Sequence, residues 1–145
     1  MLLHLSRLTA LCALAALTAC AQTPMKLTGT KQSATAAMPP AARQVGYLLM
    51  HVEGLLLEKD ARFQSRVFLD FPEATADTPA EHPAYIGMIT LLGSSKPSPR
   101  NIILPVPEKL GRALRGKAKV TVTLLPESPE LGKATIARFR LETVR

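Results

Sequence analysis

An all-β domain, an antiparallel sandwich or barrel of about six to seven strands with one short helix, is predicted by three observations. Between Gln44 and Arg145 apolar residues recur mostly at every second position, the period of a strand with one buried face. These runs are short and stop at Gly, Pro or Asp, which punctuate strands. They do not alternate with helical patterns, as a parallel α/β sheet would require.

The strands are expected in this order. "VGYLLMHVE" runs from Val45 to Glu53 and stops at Gly54; on it Met50 and His51 point to opposite faces, so Met50 belongs to the core and His51 is partly exposed. "FQSRVFLD" spans Phe63 to Asp70, "YIGMITLL" spans Tyr85 to Leu92 before Gly93, and "NIIL" spans Asn101 to Leu104 before Pro105. The helix is "PEKLGRAL": Pro107 suits a first turn and Glu108 sits near the positive end of the helix dipole, while Gly111 weakens it. "KVTVTLL" follows, from Lys119 to Leu125. The last strand, Thr135 to Thr143, alternates most clearly. Ala137, Phe139 and Leu141 are expected inward, and Arg138, Arg140 and Glu142 outward. The 102 residues from Gln44 to Arg145 suit one compact domain.

Ahead of this domain, "MLLHLSR" and "LTALCALAALTA" form a basic start and a charge-free apolar run that ends in small side chains. That is the layout of an export signal, and the run stops short of the roughly 20 apolar residues that span a membrane. Its end, "LTAC", resembles the bacterial lipobox, which implies removal of residues 1–19 and acylation of Cys20. Ordinary cleavage nearby, leaving Cys20 free, is the alternative. Ala21 after the cysteine resembles the pattern of lipoproteins sent to the outer membrane, facing the periplasm in a Gram-negative cell. Residues 20–43 are the lipidated cysteine and a segment rich in Ala, Thr, Ser and Pro without apolar period, read as a flexible tether of roughly 25 Å mean reach. Residues 44–145 are the folded domain.

This processing narrows the chemistry. Cys12 leaves with the signal and Cys20 is taken by lipid, so the domain holds no thiol for disulfide, nucleophile or metal. Loss of Arg7 turns 18 basic residues into 17 against 11 acidic ones, a net +6 in place of +7. Aromatic residues are few and no RNA-binding motif appears, so no nucleic acid partner is expected; anionic lipid or an acidic partner suits the charge better. Of three histidines only His51 and His82 remain, too few for a dicopper centre. His82, in "AEHPAY", reads as a solvated turn residue. "GSS" at Gly93 to Ser95 lacks the surroundings of a nucleophile elbow. Asp70, Glu73, Asp77 and Glu81 are spread along a connection read as solvated rather than as a catalytic cleft. No enzyme activity, cofactor or metal is expected. Between positions 96 and 119 the chain is basic, with Glu108 its lone acid. Arg112, Arg115, Lys117 and Lys119 are candidates for the rim of a docking surface, against a plain solubilising role.

"VEGLLLEKDARFQSRVFLDF" (Val52 to Phe71), "YIGMITLL", "VTVTLLP" (Val120 to Pro126) and "TIARFRLE" (Thr135 to Glu142) together resemble, in this order, the C-terminal domain of plant polyphenol oxidases. The likeness covers roughly residues 48–143. It implies a β-sandwich that shields a tyrosinase-type dicopper domain whose histidines lie in the other domain, so it implies binding without catalysis. Ala137-Arg138 stands where the family has paired glycines, basic "RGKAK" replaces an acidic loop, and the family carries no lipobox. Two functions are therefore expected in competition: a lipid-anchored accessory module for an exported tyrosinase-like copper oxidase, or an envelope lipoprotein with an unrelated structural or assembly role.

Overall fold

The structure, a computed structural model, describes residues 23–40, 44–127 and 134–145; the export signal and Cys20 lie outside them. Nine strands occur among the described residues: β1 (Met25–Lys26), β2 (Gln32–Ala37), β3 (Tyr47–Leu57), β4 (Arg62–Leu69), β5 (Tyr85–Leu92), β6 (Arg100–Pro105), β7 (Lys119–Pro126), β8 (Ala134–Ile136) and β9 (Arg138–Val144). The one helix among the described residues, α1 (Glu108–Leu114), lies between β6 and β7. All pairings are antiparallel. One sheet runs β1-β8-β3-β6 with β9 also on β3, and the other runs β2-β7-β4-β5. The architecture is therefore a sandwich, with more strands than the six or seven expected.

The inner faces meet in one core. From the first sheet come Met50, Val52, Leu55, Ile136, Phe139 and Leu141, and from the second Phe63, Val67, Leu69, Ile89, Val120 and Leu124. Met50 is fully buried, as its strand position predicted. β3 and the first part of β4 carry the alternation that a half-buried strand needs, whereas the end of β4 and β7 are buried on both faces; burial of these apolar faces is the main stabilising term.

Two extra strands come from the segment read as a tether. β2 pairs along its whole length with β7, from Gln32 opposite Leu124 to Ala37 opposite Lys119. Gln32 closes the β1–β2 turn, its Oε1 accepting from the Thr28 amide (2.8 Å) and its Nε2 donating to the Lys26 carbonyl (2.9 Å). Leu27, Ala36 and Met38 are buried. "QSATAA" shows no apolar period because its inward side chains are alanines, small enough to let an edge strand lie close over its neighbours. Small side chains bury little area each, so hydropathy is blind to them.

The last predicted strand is broken at Ala137. Phe139 and Leu141 face inward and Arg138 outward as expected, but Ala137 is exposed and Ile136 buried. β3 changes face at the same level, from Val52 to Leu55, while Glu53↔Arg138 and Leu56↔Thr135 keep one register. Both strands bend together there, which explains the glycine of "VEG". Gly54 has φ +65°, a left-handed conformation that costs other residues energy. Its amide donates to Asn101 Oδ1 (2.9 Å), and the Ala137 amide donates to the Glu53 carbonyl (3.0 Å).

The acidic connection 70–84 keeps Asp70, Glu73, Asp77 and Glu81 exposed, as expected, yet part of it packs on the body. It folds over the outer face of the second sheet, where Phe68 and Leu125 bury with Ala74 and Ala84 against Phe71 and Tyr85. Arg66 ties it down by donating to the carbonyls of Ala76 (2.9 Å) and Thr78 while pairing with Glu127. His82 is a half-buried member of this cluster, its ring stacked on Phe71 at 4.1 Å and its Nδ1 accepting from the Ala84 amide (3.2 Å). Two aromatic neighbours and a backbone bond hold the ring where sequence context suggested free solvation.

Candidate docking face

Helix α1 covers one end of the sandwich. Leu114 is its buried residue, and Gly111 passes close to Leu48 of β3. The helix has a different surface on each flank.

On one flank lies an open groove of about 590 Å³ between the helix and the start of β5, lined by His82, Tyr85, Ile86, Pro107, Leu110 and Ala113. Its walls are mainly apolar, and Glu81 and Lys109 stand at its edge. On the other flank, Arg112 and Arg115 border a narrow cleft with Tyr47, Leu48 and Thr143. Tyr47 is 70% exposed and faces Val144 across the β3–β9 ladder; Val45 and Ile103 are exposed as well. Isolated exposed apolar residues are ordinary, but grouped ones mark contact surfaces.

The basic residues singled out by sequence fall into two sets. Arg112 pairs with Glu108 one turn earlier on the helix, and Lys117 pairs with Asp70. Arg115 and Lys119 are exposed and have no ion-pair partner among the described residues. The structure brings Arg112 and Arg115 to the apolar cleft; it spends Lys117 on the 70–84 connection and puts Lys119 at the start of β7.

A further charged feature escaped sequence reading. Across the outer face of β3 and β9 runs a chain of ion pairs. Arg140 Nε donates to Glu53 Oε1 (2.8 Å) and its Nη1 to Glu142 Oε2 (2.8 Å), Arg138 also pairs with Glu53, and His51 Nε2 lies 2.9 Å from Glu142. The alternation of Arg138, Arg140 and Glu142 was visible in the sequence, but their partners on β3 depend on register. Hydrogen bonding from Arg140, helped by Arg138, holds the Glu53 carboxyl below its ordinary pKa, and Arg140 followed by His51 does the same to Glu142. A carboxyl with a depressed native pKa contributes stability above its unfolded pKa and loses it as pH falls through the native value. Stability should therefore fall on acidification below about pH 5, and Glu53→Gln should flatten that dependence in urea titrations across the acid range. An unchanged slope would remove Glu53 from the acid response.

Among the described residues no group of three His, Cys, Asp or Glu is placed to hold a metal ion, and no helix is long and apolar enough to cross a membrane.

No family model and no curated protein matches this sequence. Solved structures do. Latent apple tyrosinase is similar with a TM-score of 0.62 at 20% identity, over 82% of this chain and 27% of that one. A recombinantly expressed latent aurone synthase, a polyphenol oxidase, is similar with a TM-score of 0.65 at 17% identity, over 83% of this chain and 25% of that one. The chain has the fold of one part of the latent polyphenol oxidases. It spans about a quarter of their length, which is consistent with the C-terminal domain that the sequence resembles. The match does not extend to the rest of those enzymes.

Proposed function

We propose that this chain is a non-catalytic docking module, held at the bacterial envelope by lipid on Cys20, whose partner is an exported tyrosinase-like copper oxidase. The observation that supports this reading is the structural match to about a quarter of two latent oxidases, taken with the lipobox-like "LTAC" ahead of the fold. The helix end of the sandwich is the contact surface, its apolar groove and cleft supplying area. Arg112 and Arg115 at the cleft, with the exposed Lys119, guide encounter with an acidic rim, since exposed charge acts mainly on orientation and association rate.

Two measurements test it. Cys20→Ser should move the protein from membranes to the soluble envelope fraction and abolish fatty-acid labelling; attachment that survives the change would overturn the anchor. Capture of a purified tyrosinase-like oxidase encoded beside this gene should weaken with Arg115→Glu and Lys119→Glu, most at low salt, where charges are least screened. Those two positions break no described ion pair, so their effect reports contact rather than folding. If the membrane protein retains no oxidase, the alternative stands: an envelope lipoprotein with a structural or assembly role.

A further inference from the structure

The strand β1 changes what an anchor on Cys20 would do. Met25 lies opposite Ile136, Lys26 opposite Thr135, and the Leu27 amide donates to the Ala134 carbonyl (2.9 Å). Leu27 is 4% exposed, so the strand belongs to the folded body. From Cys20 to Met25 there are only five Cα–Cα steps, at most roughly 17 Å when fully extended. A sandwich is itself about 10 Å between sheet planes before side chains are added. The lipid would hold the body against the bilayer, and the side held there is the one from which the chain leaves β1.

That side is the edge formed by β1 and β2, the outer strands of the two sheets. Its chemistry suits an anionic headgroup layer. The first carboxylate in the whole chain is Glu53, so neither strand nor their turn carries a negative charge. Lys26 and Lys31 are exposed there, and Lys31 also donates to the Pro72 carbonyl (2.9 Å). Arg138 lines the neighbouring cleft with Thr23, Met25 and Ala34, and the Glu53 it pairs with is held by Arg140 as well. Ser33 and Thr35 on β2 are exposed, uncharged hydroxyls.

We infer that the β1–β2 edge is a membrane-docking surface that lies on anionic phospholipid headgroups. The inference rests on lipidation of Cys20 and adds an orientation to it: the groove between α1 and β5, on the strand farthest from β2 in the second sheet, is left open to a protein partner. Each cation close to an anionic bilayer strengthens the contact, and the effect fades within a Debye length.

The test uses the full lipidated chain in vesicles of phosphatidylethanolamine with phosphatidylglycerol, part of the lipid carrying a spin label on its headgroup. The processed chain has no other thiol, so a dye can be placed on Ser33→Cys in β2 or on Met88→Cys in β5, the far edge of the second sheet. Headgroup quenching should be severalfold stronger at position 33 than at 88. A flexible insertion of about 20 residues after Gln22 should shrink that difference at high salt, and Lys26→Gln should lower the docked-to-undocked ratio about fivefold at low salt. Equal quenching at the two positions, in protein that still floats with the vesicles, overturns the docking edge and leaves the anchor intact. Protein that does not float overturns both.

Discussion

Phe139→Asp is expected to abolish folding, leaving a chain without cooperative urea or thermal unfolding and with a far-ultraviolet spectrum of coil. Phe139 is 4% exposed and faces the same interior as Val52, its partner on β3. Removing such a ring alone costs about 3–5 kcal/mol, comparable to the roughly 5–15 kcal/mol that holds a domain together. A carboxylate in its place would be desolvated beside Val52 in the core, while Arg138 and Arg140 point to the opposite face. Arg140→Asp is the control one residue away. It breaks contacts to Glu53 and Glu142 and sets three carboxylates together, yet its side chain is 41% exposed, so water screens the loss to about 1 kcal/mol. That variant should fold with a slightly lower urea midpoint. A folded Phe139→Asp beside an unfolded Arg140→Asp would mean that the register of β9 is out by one.

Gly54→Ala should be the most damaging small substitution on the first sheet, at about 3 kcal/mol from two separable causes. The φ of +65° costs a residue with a side chain about 1–2 kcal/mol. The added Cβ would also stand 2.7 Å from the Ala137 Cβ, well inside contact distance, so one strand must move. Ala137→Gly in the same chain should restore the second part and leave the first, a coupling that a double-mutant cycle in urea reads directly. Gly54→Ala with unchanged stability, or additive costs for the pair, would show that β3 and β8–β9 do not bend together at this level.

These substitutions separate what residues say by themselves from what their neighbours decide. The alternation in β4 and β9 was legible because a strand's own period reports which side faces the core. "PEKLGRAL" was legible as the helix for similar local reasons, with Glu108 in its first turn and Leu114 buried at its end. The likeness to the polyphenol oxidase domain was also readable, because it lay in the order of several such segments rather than in any one.

Other features were not written in any single segment. β1 and β2 looked like tether because alanine, serine and threonine carry little hydropathy signal, and only the edge of β7 makes "QSATAA" a strand. The acids of the connection 70–84 are solvated as they read, whereas Phe68, Ala74, Ala84 and Leu125, far apart in sequence, meet only when the second sheet forms. The groove beside α1 and the Glu53–Arg140–Glu142 chain likewise join residues tens of positions apart.

The sequence by itself determined an all-β domain without a thiol, its main strands, its helix and the inward places of Met50, Phe139 and Leu141. Tertiary structure alone decided the strands drawn from the presumed tether, the shared bend at Gly54 and Ala137, and which charges pair. The physical reason is that periodicity is a property of one backbone, readable residue by residue, whereas register and layer contact are free-energy minima of several backbones at once.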